Sequence, residues 1–387
     1  MATVIGTAGP DVLRGVATDP VSFIVGDPFT AEAFFDPTPG SSFTLSSGRG
    51  GNDLILGTSS YTYGYGDAYA MEGTGRGGND RLIGGVGPND LIGDAYNMRG
   101  SAVGGNDYLS GGSDFDDLAG DADLMTDDTR GGNDTLFGGA SNDDIWGDAL
   151  TMRDNARGGN DRIDAGGDDD GFVYGDASGM EDQSVGGHDV VRGGEGDDVM
   201  HGDANGMGDN TQGGNDILHG DAGNDSFEGD ASSFYGTGTV TAGDDRLFGG
   251  TGDDRMFGDA RSTSTTALCG DDRLKGGFGD DELWGDIATI SAGGSITAGK
   301  DTFVFILGGG NDTVGDFNDG PTGAQDRIDL RCYSGLDGFA DLTGFIVQSG
   351  SDTVIDLGLA TGQGAGLDTI KLLNTTAGNF GANDFLF

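Results

Sequence analysis

Among 387 residues, 66 Asp and Glu stand against 19 Lys and Arg, a formal charge of −47, and 81 positions are glycine. Such a chain has too little apolar surface to offset the entropy of ordering its backbone, which excludes most ordinary globular enzymes and requires something other than a hydrophobic core to hold it together. The charge also excludes a nucleic-acid surface, which must be basic; the two cysteines, Cys269 and Cys332, make no disulfide framework, and with three histidines they are too few for zinc.

The chain opens with MATVIGTAGPDVLRG, which has neither the basic nor the apolar segment of a cleavable signal peptide. No later run approaches the ~20 apolar residues of a membrane-spanning helix. Residues 1–50 hold one recognisable repeat turn, Gly6 to Leu13, and then Phe23, Phe29, Phe34, Phe35 and Phe43. Stacked repeats need a cover at their open end, so this segment reads as an aromatic N-terminal cap, with a polymerisation surface as the rival reading.

Residues 51–300 repeat. Aspartates of a GGND-type turn fall at Asp53, Asp80, Asp107, Asp134, Asp161, Asp189, Asp216, Asp245, Asp272 and Asp301, at intervals of 27, 27, 27, 27, 28, 27, 29, 27 and 29 residues. Nine residues after the GGND aspartate comes a second polar turn, at Asn89, Asp116, Asp143, Asp170, Asp198, Asp225, Asp254 and Asp281. A third corner is a Gly-Asp pair ending at Asp94, Asp121, Asp148, Asp176, Asp203, Asp230, Asp259 and Asp286. The period after Asp53 lacks the second acidic turn, and Asn89 stands where an aspartate is expected.

Apolar residues keep the same register. Two positions after the first aspartate stand Ile55, Leu82, Leu109, Leu136, Ile163, Val191, Leu218, Leu247, Leu274 and Phe303; two after the second stand Leu91, Leu118, Ile145, Phe172, Met200, Phe227, Met256 and Leu283. Each is flanked by small or polar residues, as in a very short strand with one inward side chain. A third row, Met71, Met98, Met125, Met152, Met180, Met207 and Phe234, reads as another buried stripe rather than an adaptable binding surface, because it keeps the coil period. One such row makes no core; stacked rows do. Stacking creates its own difficulty, since like charges on rungs about 4.8 Å apart repel by roughly 3.5 kcal/mol at an effective dielectric near 20. A bound cation is therefore expected.

From about residue 301 glycine thins out and longer segments appear, at Asp301 to Ile306, Arg327 to Leu330, Asp352 to Leu357 and Asp368 to Leu373. They read as antiparallel strands.

The run Gly104-Gly105-Asn106-Asp107-Tyr108-Leu109, and Gly249 to Met256 against G-G-x-G-x-D-x-U-x, resemble the RTX (hemolysin-type calcium-binding) repeat over about residues 1–318. The resemblance implies an all-β, calcium-bound parallel β-roll or β-solenoid, here with 27-residue coils where the family usually places two nonapeptides per coil, capped by a C-terminal antiparallel β region over residues 301–387. It carries calcium ligation over to the GGND and second-turn aspartates. At the Gly-Asp corner two roles remain open, ligation or capping of a tight turn. An all-oxygen cage suits calcium, which accepts six to eight ligands loosely, better than magnesium. The tail, DTFVF through DRIDL and SDTVIDL to NDFLF, resembles the uncleaved C-terminal region of type I secretion substrates, which implies the type I secretion machinery as a partner, an extracellular location and folding on extracellular calcium.

No H-E-x-x-H, G-x-S-x-G or P-loop is present, and carboxylate pairs are too numerous to single out an acid and a base. His188, His201 and His219 read as surface turn residues, and Cys269 as a neutral replacement of a turn glycine. The expectation is a secreted, non-enzymatic structural protein that self-assembles into a homopolymer, as a filament, surface layer or matrix. The alternatives are a calcium-dependent adhesin or carbohydrate-binding module, and a calcium buffer. An adhesive face would show a uniform outward row, and the outward position after the first aspartate (Arg81, Tyr108, Thr135, Arg162, Val190, Ile217, Arg246, Arg273) is not uniform.

Overall fold

The computed structural model describes residues 2–6, 9–14, 21–26, 44–318 and 325–387. Phe29, Phe34, Phe35 and Phe43, and with them most of the expected aromatic cap, lie outside the described residues; Phe23 falls in the strand Val21–Val25.

One coil shows why the sequence folds as it does. After the turn at Asp107 comes the strand Tyr108–Gly112, then a turn into Asp116–Ala119, then the Gly120-Asp121 corner into Ala122–Met125, and a loop back to the next Gly131-Gly132. Each strand pairs in parallel with its equivalent one coil away, Leu109 with Leu136, Leu118 with Ile145 and Met125 with Met152. Repetition gives three long sheets, of 13, 15 and 10 strands among the described residues, parallel throughout except for the last hairpin of the second. The chain is a β-solenoid.

The coil is two-lobed. The first and second sheets enclose one core, in which Leu82, Leu109, Leu136 and Ile163 meet Leu91, Leu118 and Ile145, all fully buried. The third sheet folds over a separate core of Met98, Met125, Met152 and Met180 with the alanines Ala95, Ala122, Ala149 and Ala177. Alanine at one strand position and methionine three residues on fill a space too thin for two large rows. Between the lobes lies a neck, where the GGND turn and the Gly-Asp corner face each other.

The 28- and 29-residue coils show where extra residues go. In the coil from Asp161 to Asp189 the second strand is shifted: Asp143 still follows Asp170 in the ladder, but Asp144 pairs with Phe172 and Ile145 with Val173. Gly171 is therefore the inserted residue, Val173 is buried, and Phe172, expected inside, is 53 % exposed. An insertion of one residue reverses which side chain faces in. From the first 29-residue coil onward a further short strand follows the third, so that Thr239–Thr241 and Ser295–Thr297, in 29-residue coils, and Thr266–Leu268, in the 27-residue coil between them, form a three-stranded sheet.

The C-terminal region does not begin as an antiparallel unit. Thr302–Val304 and Arg327–Asp329 continue the first sheet in parallel, and Asn311–Val314 and Thr369–Leu372 continue the second. Antiparallel pairing starts only with the last hairpin, Ile346–Ser349 against Asp352–Asp356 against Thr369–Leu372. There the regular turn that returns the chain one rung up is gone.

Core position predicts sensitivity. Met152→Ala, at a fully buried site, should cost ~2–5 kcal/mol in the calcium-loaded protein, whereas Phe172→Ala should stay within about 0.5 kcal/mol. Denaturant unfolding of the two variants checks both.

Candidate metal centre

The GGND aspartates form a ladder along the stack. Oδ1 of Asp80 accepts the backbone N–H of Asp53 at 2.6 Å, Asp107 that of Asp80 at 2.7 Å and Asp134 that of Asp107 at 2.7 Å, and so on until Asp301 accepts from Asp272 at 2.9 Å. The second-turn aspartates do the same, Asp116 accepting from Asn89 at 2.7 Å and Asp281 from Asp254 at 2.9 Å. One carboxylate oxygen thus joins adjacent coils. The other is orphaned: Oδ2 of each first-turn aspartate from Asp80 to Asp301, and of each second-turn aspartate from Asp116 to Asp281, is buried with no hydrogen-bond partner.

Of the two roles left open for the Gly-Asp corner, the hydrogen bonds show the cap. Asp94 Oδ2 accepts the N–H of Gly105 at 2.8 Å, and Asp121, Asp148, Asp176, Asp203, Asp230, Asp259 and Asp286 cap Gly132, Gly159, Gly187, Gly214, Gly243, Gly270 and Gly299 in the same way. These bonds close the neck of each coil. At Asp94, Asp121, Asp203, Asp230 and Asp259 the second oxygen is buried and unpartnered.

Glycine makes room for the convergence. A Cβ on Gly93 would lie 1.7 Å from the carbonyl oxygen of Gly120 and 2.3 Å from Asp107 Oδ2. On Gly111 it would lie 2.3 Å from Asp116 Oδ2 and 2.7 Å from the Gly138 carbonyl oxygen. Two rows of oxygens therefore run along the stack, one in the neck and one, from Asp116 onward, at the second turn. The donors are carboxylates and carbonyls of successive coils, the set a hard cation takes.

Their protonation equilibria show that this space is suited to positive charge. Burial, followed by the neighbouring Asp67, pushes Asp80 up to about 10; burial and the charge of Asp161 push Asp148 to about 8. Asp107, Asp134 and Asp245 are driven well above the usual carboxylate range, first by burial. At the second turn Asp143 and Asp254 reach about 8 for the same reason. The contrast is Asp329, which the Arg331 guanidinium at 2.6 Å, helped by Arg273 at 3.0 Å, holds near 2. The GGND aspartates from Asp80 to Asp301 form no ion pair of this kind among the described residues.

Several details differ from the sequence reading. Asp67 belongs to the Gly-Asp row, offering an oxygen within 4.8 Å of those of Asp80 and Asp94; its signal was the Gly66-Asp67 pair ahead of Met71. The ladders also continue past residue 301, where Asp312 accepts from Asp281 at 3.0 Å and Asp326 from Asp301 at 3.0 Å. Intervals of 31 and 25 residues hid them. Cys269 is no neutral turn residue: its thiol joins Asp259 and Asp286 in the neck, where burial and those charges push its pKa far up. His201 is not on the surface but buried in the strand Val199–His201, stacked on Tyr174 with ring centroids 5.0 Å apart and Nε2 3.1 Å from Glu228.

At the second turn of the early coils, polar side chains replace the acid. Asn89 Nδ2 donates to the Gly87 carbonyl and to Asp116 Oδ1, each at 2.7 Å, so an amide occupies the place of a cation. One coil earlier Thr62 aligns with Asn89. Asn89→Asp should extend this row by one ion, which a calcium count on the purified variant reads directly.

Residues 74–95, 128–149, 185–205, 210–233, 238–260 and 270–287 match the family profile of the RTX calcium-binding nonapeptide repeat. No curated protein is significantly similar to the chain.

Proposed function

Because the chain carries RTX calcium-binding nonapeptide repeats in a β-solenoid, we propose that it is a secreted structural protein whose coils are locked together by calcium outside the cell. The observation that carries this reading is the pair of unbroken rows of buried, unpartnered carboxylate oxygens, which are tolerable only with counter-charge. In the neck, calcium is held by Oδ2 of the GGND aspartates, the free oxygens of the Gly-Asp aspartates and glycine carbonyls of the next coil. At the second turn it is held by Asp116, Asp143, Asp170, Asp198, Asp225, Asp254 and Asp281. Metal binding and folding are one event, since neither row exists in the unstacked chain.

Export through a type I secretion system is supported by the tail from DTFVF to NDFLF, and the ion fits the route: a chain unfolded without calcium threads a transporter and folds on release. A structural rather than catalytic role follows from a molecule that is nearly all repeat. Among the described residues each long sheet ends on an edge strand, and such edges can join molecules into a filament or layer. Negative-stain electron microscopy in calcium, and again after chelation, tests this. Calcium-dependent filaments or sheets support assembly; monomers at high concentration in both conditions refute it.

A further inference from the structure

The lobe closed by the third sheet carries a stripe of arginines that the calcium rows do not use. Arg76, Arg130 and Arg157 stand in one column of parallel bridges, which runs from Arg76 through Val103, Arg130, Arg157 and Val185 to Gln212. Successive positions are one rung, about 4.8 Å, apart. All three arginines are exposed. Among the described residues none of the three forms an ion pair, whereas Arg153, Arg192 and Arg255 each reach a carboxylate within 3.4 Å. In a chain with 66 acidic residues, three aligned and unpaired guanidinium groups require an explanation.

They line a groove of about 870 Å³, and a second file of residues at the same coil spacing, Ser101, Asp128, Asn155, Gln183 and Asn210, lines it with them. Asp128, the one acid in the lining, accepts from Asn155 Nδ2 at 3.0 Å, and three arginines against that single carboxylate leave the lining with an excess of positive charge. Its chemistry is specific. Guanidinium groups bind carboxylates through two parallel hydrogen bonds; amide and hydroxyl side chains donate to and accept from hydroxyls. No aromatic ring lines it, which disfavours the stacked bases of single-stranded nucleic acid. Val103 and Val185 are the apolar residues in the lining, too little apolar surface to enter a lipid headgroup layer. Because both files repeat by rung, the complementary ligand is linear and repeats too.

We propose that this groove binds an acidic polysaccharide laid along the stack, with sugar carboxylates on Arg76, Arg130 and Arg157 and ring hydroxyls on the amide file. The inference rests on the calcium-locked roll in one respect: at a charge of −47 the molecule repels polyanions until calcium neutralises the neck.

The test is fluorescence anisotropy with a labelled oligogalacturonate and the full chain in saturating calcium, with maltohexaose and inorganic polyphosphate as competitors. Circular dichroism on every sample shows whether the roll is folded, so a failure of calcium-driven folding is distinguished from a failure of the groove. The expected result is saturable binding, unaffected by maltohexaose and at least tenfold weaker in the folded double variant Arg130→Gln/Arg157→Gln, with partial recovery in Arg130→Lys/Arg157→Lys. Undiminished affinity in the glutamine variant would place the uronates on calcium bridges to surface acids and overturn the proposal. So would polyphosphate competing as well as unlabelled oligogalacturonate, or no binding at all.

Discussion

Stripped of calcium and taken from about pH 7 to about pH 4, the chain should regain much of its β structure. The sign follows from the carboxylates. Unfolded, an aspartate titrates near 3.9; in the calcium-free fold Asp148 and Asp254 titrate at about 8, Asp225 at about 7 and Asp281 at about 6, raised first by burial. Between those limits the folded state binds more protons than the unfolded one, so stability falls as pH rises through roughly 4 to 8 and is fully present below about 4. Many sites shift in the same direction, so the change should be large enough to decide whether the calcium-free chain folds. The sequence pI of about 4.1 adds relief from overall repulsion at the same pH. With calcium bound the sign reverses, because ligated carboxylates prefer to be ionised; the loaded protein should lose stability as pH falls through about 4. Far-UV circular dichroism against pH, with and without chelator, should give two curves of opposite slope.

The second large effect belongs to a single methyl group. A Cβ on Gly147 would lie 1.6 Å from the carbonyl oxygen of Gly175 and 2.5 Å from Asp161 Oδ2. It would separate two coils and fill the space between their oxygens, so Gly147→Ala should cost on the order of 4 kcal/mol or more in calcium and lower the bound-ion count. Gly179, in the strand Ala177–Met180, has nothing within 4 Å of its Cβ position. Gly179→Ala should therefore be neutral or slightly stabilising. Calcium-dependent thermal unfolding separates the two, and equal behaviour would mean that the neck is not the point of contact between coils.

How much could be read in advance depended on whether a feature kept the period. The three aspartate rows and three apolar rows did, and the ladders of Asp80 to Asp301, the two leucine-rich rows and the methionine row stand where the spacing placed them. Phe172 misled because counting forward from Asp170 cannot show which residue of Asp170-Gly171-Phe172-Val173 is the insertion; pairing with Ile145 decides it. Thr302–Val304 and Arg327–Asp329 read as antiparallel strands because their alternation is ordinary, while their partners, which fix direction, lie in other coils. The neck was illegible for a related reason. Asp121 and Asp134 are 13 residues apart, and only the closed lobe brings two corners that look independent into a single row of oxygens. The arginine column escaped notice because, past Arg76 at the end of the strand Ala68–Arg76, its positions are isolated bridges in the return loops, where no strand pattern marks which side chains share a face.

The central claim is that divalent ions, not the apolar rows, hold the coils together. Amide hydrogen exchange at about pH 7 on one sample in millimolar calcium and one in excess EGTA tests it residue by residue. Slow exchange at Leu109, Leu136 and Met152 in calcium, lost throughout Arg81 to Val304 on chelation, is the predicted result. Equal protection of those amides in EGTA would contradict it.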